Sequence, residues 1–291
     1  MELIAPHKRT KPKPGILDIT SYKLASLSRQ ATGYLRVLPD FIIIGAAKAG
    51  TTSLYNYLIQ HPGVLECFRK EVHYFDKKYA NGLNWYKSHF PLRTAIDQQP
   101  GKITGESSPY YLYHPQAPVR IAKDLPGRKF ICLLRDPIDR AVSNYNHRVR
   151  AGFENMPIEL AFEKESERIK GEHEKLLNDS NYISYAHYHF SYQTRGNYAE
   201  QLKWWYQHIP KEDILVLKSE SFYENSKGEF EKVLSHLNLP WHDDIAFKVY
   251  NSGGGDYKQV NPELRRNLQD HFSPMNEELY ELIGERFNWE K

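Results

Sequence analysis

With 291 residues, 40% of them hydrophobic, the chain has material for one large α/β domain or two small ones with a sizeable core. Its net charge of +3, with basic and acidic residues interleaved, excludes the clustered basic surface of a nucleic-acid binder, so no nucleic-acid partner is expected. Two cysteines, Cys67 and Cys132, are too few for a disulfide scaffold or a cysteine-held zinc site.

In chain order, residues 1–15 are basic and proline-rich and read as an extended arm. The stretch 18–38 then reads as a short lead-in helix, so residues 1–37 are assigned to an arm and helix and 38–291 to a single domain. "DFIIIG" is a continuous apolar run ending in glycine, as a strand buried on both faces requires. "TTSLYNYLIQHP" follows with helical spacing at Leu54, Tyr57 and Leu58 and stops before Pro62. Further strands are predicted at 102–107, 129–135 and 213–220, with helices at "PQAPVRIAKDL", "DRAVSNYNHRVRAG", "YAEQLKWWYQHI" and "GEFEKVLSHLNL" between and after them. This alternation predicts an α/β fold, a parallel β-sheet flanked by helices on both faces. Residues 154–195 are polar and charge-rich and read as a helical insertion or lid. No apolar run approaches the roughly 20 residues that cross a bilayer, and residues 1–15 lack a signal-peptide core, so a cytoplasmic protein without a membrane span is expected.

Gly45 and Gly50 in "GAAKAGTTSL" have the spacing of a phosphate-binding loop, but Thr51 stands where the lysine of a nucleoside-triphosphate site would be. Lys48 lies inside the loop instead. A glycine turn between strand and helix aims backbone N–H groups and the positive helix end at one point, which favours an anion. Lys48 adds a mobile charge and Thr51, Thr52 and Ser53 add hydroxyls. An ordinary strand-turn-helix and a degenerate kinase or NTPase loop are the competing readings, and the latter lacks an evident carboxylate for Mg²⁺.

The loop resembles that of sulfotransferases using 3′-phosphoadenosine 5′-phosphosulfate (PAPS), whose motif runs close to G-x-x-K-x-G-T-T. The resemblance implies a P-loop-like sulfotransferase fold, with Ala47, Lys48, Ala49, Gly50, Thr51, Thr52 and Ser53 around the 5′-phosphosulfate and PAP as product. "LLRDPIDRAVS" carries the same family's R-D-P-x-x-R-x-x-S pattern, which implies that Arg135 and Ser143 hold the 3′-phosphate. On residues alone, Arg135 pairs equally well with Asp136 or Asp139 as a surface ion pair. His147, one helical turn after Ser143, is either a cleft residue near the transferred group or a structural histidine. "RGNYAEQLKWW" is similar to a family segment, and the resemblance implies that Arg195, Gly196 and Tyr198 touch the nucleotide. "NSGGGDYK" resembles a loop that closes on the cofactor, implicating Gly254, Gly255, Tyr257 and Lys258, although the family's lysine precedes the aromatic residue.

The acceptor must lose a proton as it attacks sulfur, which calls for a positioned carboxylate or imidazole. "FRKEVHYFD" supplies both types and resembles the K-E-x-H-x-F-D motif of the heparan sulfate 3-O- and N-sulfotransferase group. That resemblance makes Glu71 the base, His73 and Asp76 its orienting partners, and Lys70 an acceptor neighbour; a charged solvated turn is the bland alternative. "GESSPYYL" is similar to a family segment lining the acceptor side, which nominates Glu106, Ser107 and Tyr110. Ser107 stands where many glycosaminoglycan enzymes have lysine. The expected function is sulfuryl transfer to a hydroxyl, less so an amine, of a carbohydrate, or alternatively of a small hydroxylated metabolite or lipid. No metal is required for such a transfer. A kinase or NTPase and a non-catalytic nucleotide-binding protein are the readings of other classes.

Overall fold

The computed structural model describes residues 16–248, 250 and 260–289, with backbone alone for 16–21. Its centre is a sheet of five parallel strands, β1 (Phe41–Gly45), β2 (Val64–Leu65), β3 (Ile103–Ser107), β4 (Lys129–Leu134) and β5 (Ile214–Lys218), in the order β2-β3-β1-β4-β5. Every residue of β1 is buried, and so is β4 from Phe130 to Leu134. Only helices on both faces can cover strands in this way, which explains their unbroken apolar sequence.

The predicted strands appear within a residue or two of their expected ends. The additional strand β2 is two residues long, pairs Val64 with Ile103 at the sheet edge, and is too short to leave a period in the sequence. The helix Thr51–Leu58 packs on β1 and β3, while Ser219–Glu224 and Ser226–His236 pack on β5. One long helix, Pro262–Ile283, has no counterpart among the predicted elements and lies against Tyr198–Tyr206 and Pro137–Arg150. Its signals are nevertheless present: Asn261 caps it by accepting from Leu264 N at 2.7 Å, Pro262 occupies the first turn, and Gly284 closes it at φ +76°. Among the described residues, no helix is long and apolar enough to cross a membrane.

Strand order decides where a ligand can enter. The chain leaves β1 toward β2 on one side and leaves β4 toward β5 on the other. The two connections diverge and open a crevice at the carboxyl ends of β1 and β4. The Lys48 loop follows β1 and Arg135 follows β4, so two segments far apart in sequence share one mouth.

Residues 154–195 form four short helices, Ile158–Glu163, Glu165–Arg168, Glu172–Asn178 and Tyr185–His189. Ile158, Ala161, Phe162 and Tyr192 join Ile138, Val142, Tyr145, Leu268 and Phe272 in a second hydrophobic cluster. Buried Glu165 fixes the far end of the insertion by accepting from Gln193 N (2.6 Å), Thr194 N (2.9 Å) and Thr194 Oγ1 (2.8 Å). Glu165→Ala strands these donors and is expected to lower unfolding free energy by about 3 kcal/mol, measured by urea titration. A loss below about 1 kcal/mol would show that this carboxylate does not hold the segment.

Candidate active site

The loop between β1 and the helix Thr51–Leu58 turns through two left-handed residues, Lys48 at φ +77° and Gly50 at φ +98°. Glycine at 50 answers both that backbone and a close approach, since a Cβ there would meet Tyr223 Oη at 2.7 Å. Ala47, Lys48, Gly50, Thr51 and Thr52 line a cleft of about 810 Å³. Ala49 and Ser53 do not reach it. Ala49 is fully buried with its carbonyl accepting from Ser219 Oγ at 2.8 Å, and the Ser53 hydroxyl accepts from Tyr250 N at 3.1 Å. Thr52 Oγ1 accepts a short hydrogen bond from Lys70 Nζ, so Lys70 braces the loop from the side of the Glu71 segment.

Burial pushes the Lys48 ammonium down to about 8, and Arg150, Arg148 and Arg135 press it in the same direction. So many cations at the end of a strand-loop-helix suit an anion, which would relieve their mutual repulsion. Arg135 reaches the loop directly, donating from Nη1 to Lys48 O at 3.3 Å. The ion pair left open by the sequence does exist, but only at 3.9 Å to Asp139, which also meets Arg265 at 3.3 Å. Arg135, Ser143 and His147 all line the cleft. Burial, then Lys48, holds the His147 imidazole down to about 4, so it stays neutral through the physiological range.

Tyr198 sits behind the site. It is buried and donates to Arg135 O at 2.8 Å, which pins the end of β4 and keeps the ring away from the cleft. Gly196 packs so tightly that a Cβ would meet Phe272 at 2.6 Å, whereas Arg195 lines the cleft. Gly254, Gly255, Tyr257 and Lys258 lie outside the described residues.

The opposite wall carries Glu71 and His73, both non-glycine residues in the left-handed region at φ +57° and +58°. Backbone held this way is costly and persists only where its surroundings over-determine it. Here the surroundings are explicit. Glu71 N donates to Ser107 O (3.1 Å), Val72 N to Glu106 Oε2 (3.3 Å), His73 N to Ser108 Oγ (3.2 Å) and Tyr74 N to Tyr111 Oη (2.8 Å). Glu106 and Ser107, nominated as acceptor contacts, are fully buried and do not line the cleft. They support the Glu71 turn from behind, while Tyr110 does line the cleft.

His73 Nδ1 meets Asp76 Oδ2 at 2.6 Å, and its Nε2 lies 3.6 Å from Glu71 Oε2. Burial opposes charge on this imidazole, but the hydrogen-bonded Asp76 and the nearby Glu71 outweigh burial and lift it to about 9. Glu71 is held below the ordinary carboxylate range, chiefly by the nearby His73 and against its own burial. At neutral pH the wall therefore presents an imidazolium between two carboxylates, one fully buried and one half exposed. Several lining residues escaped the sequence reading. Ser219, Glu220 and Tyr223 follow β5, a strand-end position where ligands of such sheets bind, so their place was legible. Arg148 and Tyr188 carried no positional signal.

The sulfotransferase domain family matches residues 38–272. Membrane-associated sulfotransferase kil1 of Dictyostelium discoideum is 30% identical, over 89% of the chain and 68% of that protein. Heparan sulfate glucosamine 3-O-sulfotransferase 3B1 of Mus musculus is also 30% identical over 87% of the chain, which spans 65% of that relative's length. A sulfotransferase structure from Alicyclobacillus acidocaldarius is 28% identical with a TM-score of 0.65, covering 88% of the chain and 100% of that protein. The chain belongs to the sulfotransferase domain family, whose enzymes depend on PAPS.

Proposed function

We propose that the cleft transfers a sulfuryl group from PAPS to a carbohydrate hydroxyl, with Glu71 as base. The observation that carries this reading is that a half-exposed carboxylate, Glu71, and a partly buried lysine, Lys48, line one cleft. The residues present suit a polyanionic nucleotide: a loop of backbone N–H groups at a helix start, Lys48, Arg135 and Ser143 around a volume of about 810 Å³. When bound there, PAPS supplies the sulfuryl group.

The chain's own residues do the rest. Thr51, Thr52 and the loop N–H groups hold the 5′ side, and Arg135 with Ser143 holds the 3′-phosphate. Lys48 places positive charge where negative charge gathers on the leaving side. Glu71, ionised at neutral pH and kept so to lower pH by His73, accepts the proton of the acceptor hydroxyl. His73, charged and anchored by buried Asp76, fixes the direction of Glu71 and stays out of proton transfer. A carbohydrate acceptor is supported by the glucosamine named for one relative and by the K-E-x-H-x-F-D segment standing at the cleft wall.

Glu71→Gln is expected to reduce transfer from labelled PAPS by about 10²–10⁴-fold while PAP affinity, measured by calorimetry, changes less than about threefold. Comparable loss of both would assign Glu71 to cofactor binding. The pH profile follows from the two shifted groups. Glu71, with a depressed pKa, is ionised at neutrality and loses function only as pH falls below the ordinary carboxylate range. Lys48 loses its charge as pH rises through about 8 in the free enzyme. The kcat/KM for PAPS should therefore be bell-shaped with an alkaline limb near 8, and Lys48→Arg should move that limb upward. An unmoved limb would assign it to another group. A degenerate NTPase would instead hydrolyse ATP with Mg²⁺ and be insensitive to Glu71→Gln.

A further inference from the structure

Behind the loop that follows β1 lies a second, far smaller cavity of about 10 Å³, room for one atom of roughly water size. Its wall includes Ala46 and Ala47 of the loop, Tyr113, and two arginines, Arg140 and Arg195. Arg140 comes from the helix Pro137–Arg150 and has no exposed surface. Arg195, from the turn Thr194–Gly196, is 4% exposed and lines both this cavity and the large cleft.

Part of their hydrogen-bonding capacity is unspent. Arg140 gives Nη2 to Tyr192 O in a short bond, while its Nε and Nη1 are buried without a partner among the described residues. Arg195 gives Nη2 to His187 O at 3.0 Å and to Tyr188 O at 2.7 Å, and its Nε is likewise buried and unpaired. Among the described residues, no carboxylate stands at ion-pair distance from either guanidinium. Glu165 adds to the field at Arg140, but its oxygens accept from Gln193 N, Thr194 N and Thr194 Oγ1 instead. The rings of Tyr110 and Tyr113, 4.8 Å and 5.1 Å from the Arg195 guanidinium, offset part of its charge. Burial holds the Arg140 guanidinium below its ordinary value, and the charge of Arg195 presses the same way.

Two buried like charges with donors to spare call for a counter-charge. The cavity sets its size: about 10 Å³ excludes carboxylates, phosphate and sulfate, which bring several heavy atoms each. A halide is the common anion that is a single atom. We propose that this cavity is a halide site, filled by chloride in solution, in which Arg140 and Arg195 hold the ion beneath Ala46 and Ala47. Water there would accept from an N–H but leave both charges uncompensated. The ion's place is behind the loop, so its role is to hold two guanidinium groups against the back of the donor site.

Crystals exchanged into about 0.3 M bromide should show an anomalous peak between Arg140 and Arg195. In solution, replacing gluconate by chloride up to about 0.3 M at constant ionic strength should raise the melting temperature saturably, by about 3–5 °C. Arg140→Met, which keeps the bulk and removes the charge, and Arg195→Gln should each abolish that rise. The proposal stands only if the peak and the saturable rise both appear in the wild type. Density for water without anomalous signal, bromide at surface positions alone (an adventitious ion only), a rise linear in salt, or an undiminished rise in the variants overturns it. Should Arg140→Met fail to fold, Arg195→Gln and the wild-type bromide map still decide. None of these readouts involves turnover, so the site stands or falls apart from the sulfuryl-transfer reading.

Discussion

The Glu71 wall of the cleft depends on one carboxylate that does not itself reach the cleft. Glu106, at the end of β3 with no exposed surface, accepts from Tyr86 Oη at 2.8 Å, Ser108 Oγ at 2.7 Å, Tyr111 Oη at 3.1 Å and Val72 N at 3.3 Å. Burial lifts its pKa against the hydroxyl hydrogen bonds, and these four donors hold the group in place. Val72 lies between Glu71 and His73, whose backbones are both left-handed. The strain of that turn is tolerable because Glu106, Ser107 O and the Tyr111 hydroxyl leave its amides no other arrangement. The Glu71 carboxylate is thereby aimed at the cleft by a hydrogen-bond network and not by a helix.

Electrostatics divides the cleft into two ends. At the strand ends, burial and then Arg150, Arg148 and Arg135 depress Lys48 to about 8. At the Glu71 wall, His73 is raised against its burial to about 9 between two carboxylates. His147, in the same cleft, is driven down to about 4 by burial and then by Lys48. Two histidines of equal intrinsic basicity therefore stand in opposite charge states, and the difference is entirely one of neighbours. A neutral His147 suits contact with a transferred group, while a charged His73 suits fixing a carboxylate.

The insertion 154–195 is no loose cover. Its apolar residues complete a second core with the helix Pro137–Arg150, and buried Glu154 ties Arg168 (2.6 Å) to Tyr192 (2.7 Å). The same helix carries Ser143, His147 and Arg148 to the cleft, because these residues lie within little more than a turn of it.

Much of this was legible before any coordinates. Local patterns determined the alternating strands and helices, the parallel sheet, and the glycine loop with Lys48, because periodicity and turn chemistry act over a few residues. The family resemblance, and not periodicity, singled out Arg135, Ser143, Glu71 and His73, all of which line the cleft. What sequence could not decide is which side chains of a motif face the ligand. Ala49, Ser53, Glu106, Ser107 and Tyr198 sit in the expected segments yet point into packing or hydrogen-bond networks. Facing depends on register and on which distant amides and hydroxyls come within about 3 Å, which only the assembled fold fixes. The meeting of Arg148 and Arg195, 47 positions apart, at the Tyr188 ring is of the same kind, because only the tertiary structure brings these two buried guanidinium groups to one cleft.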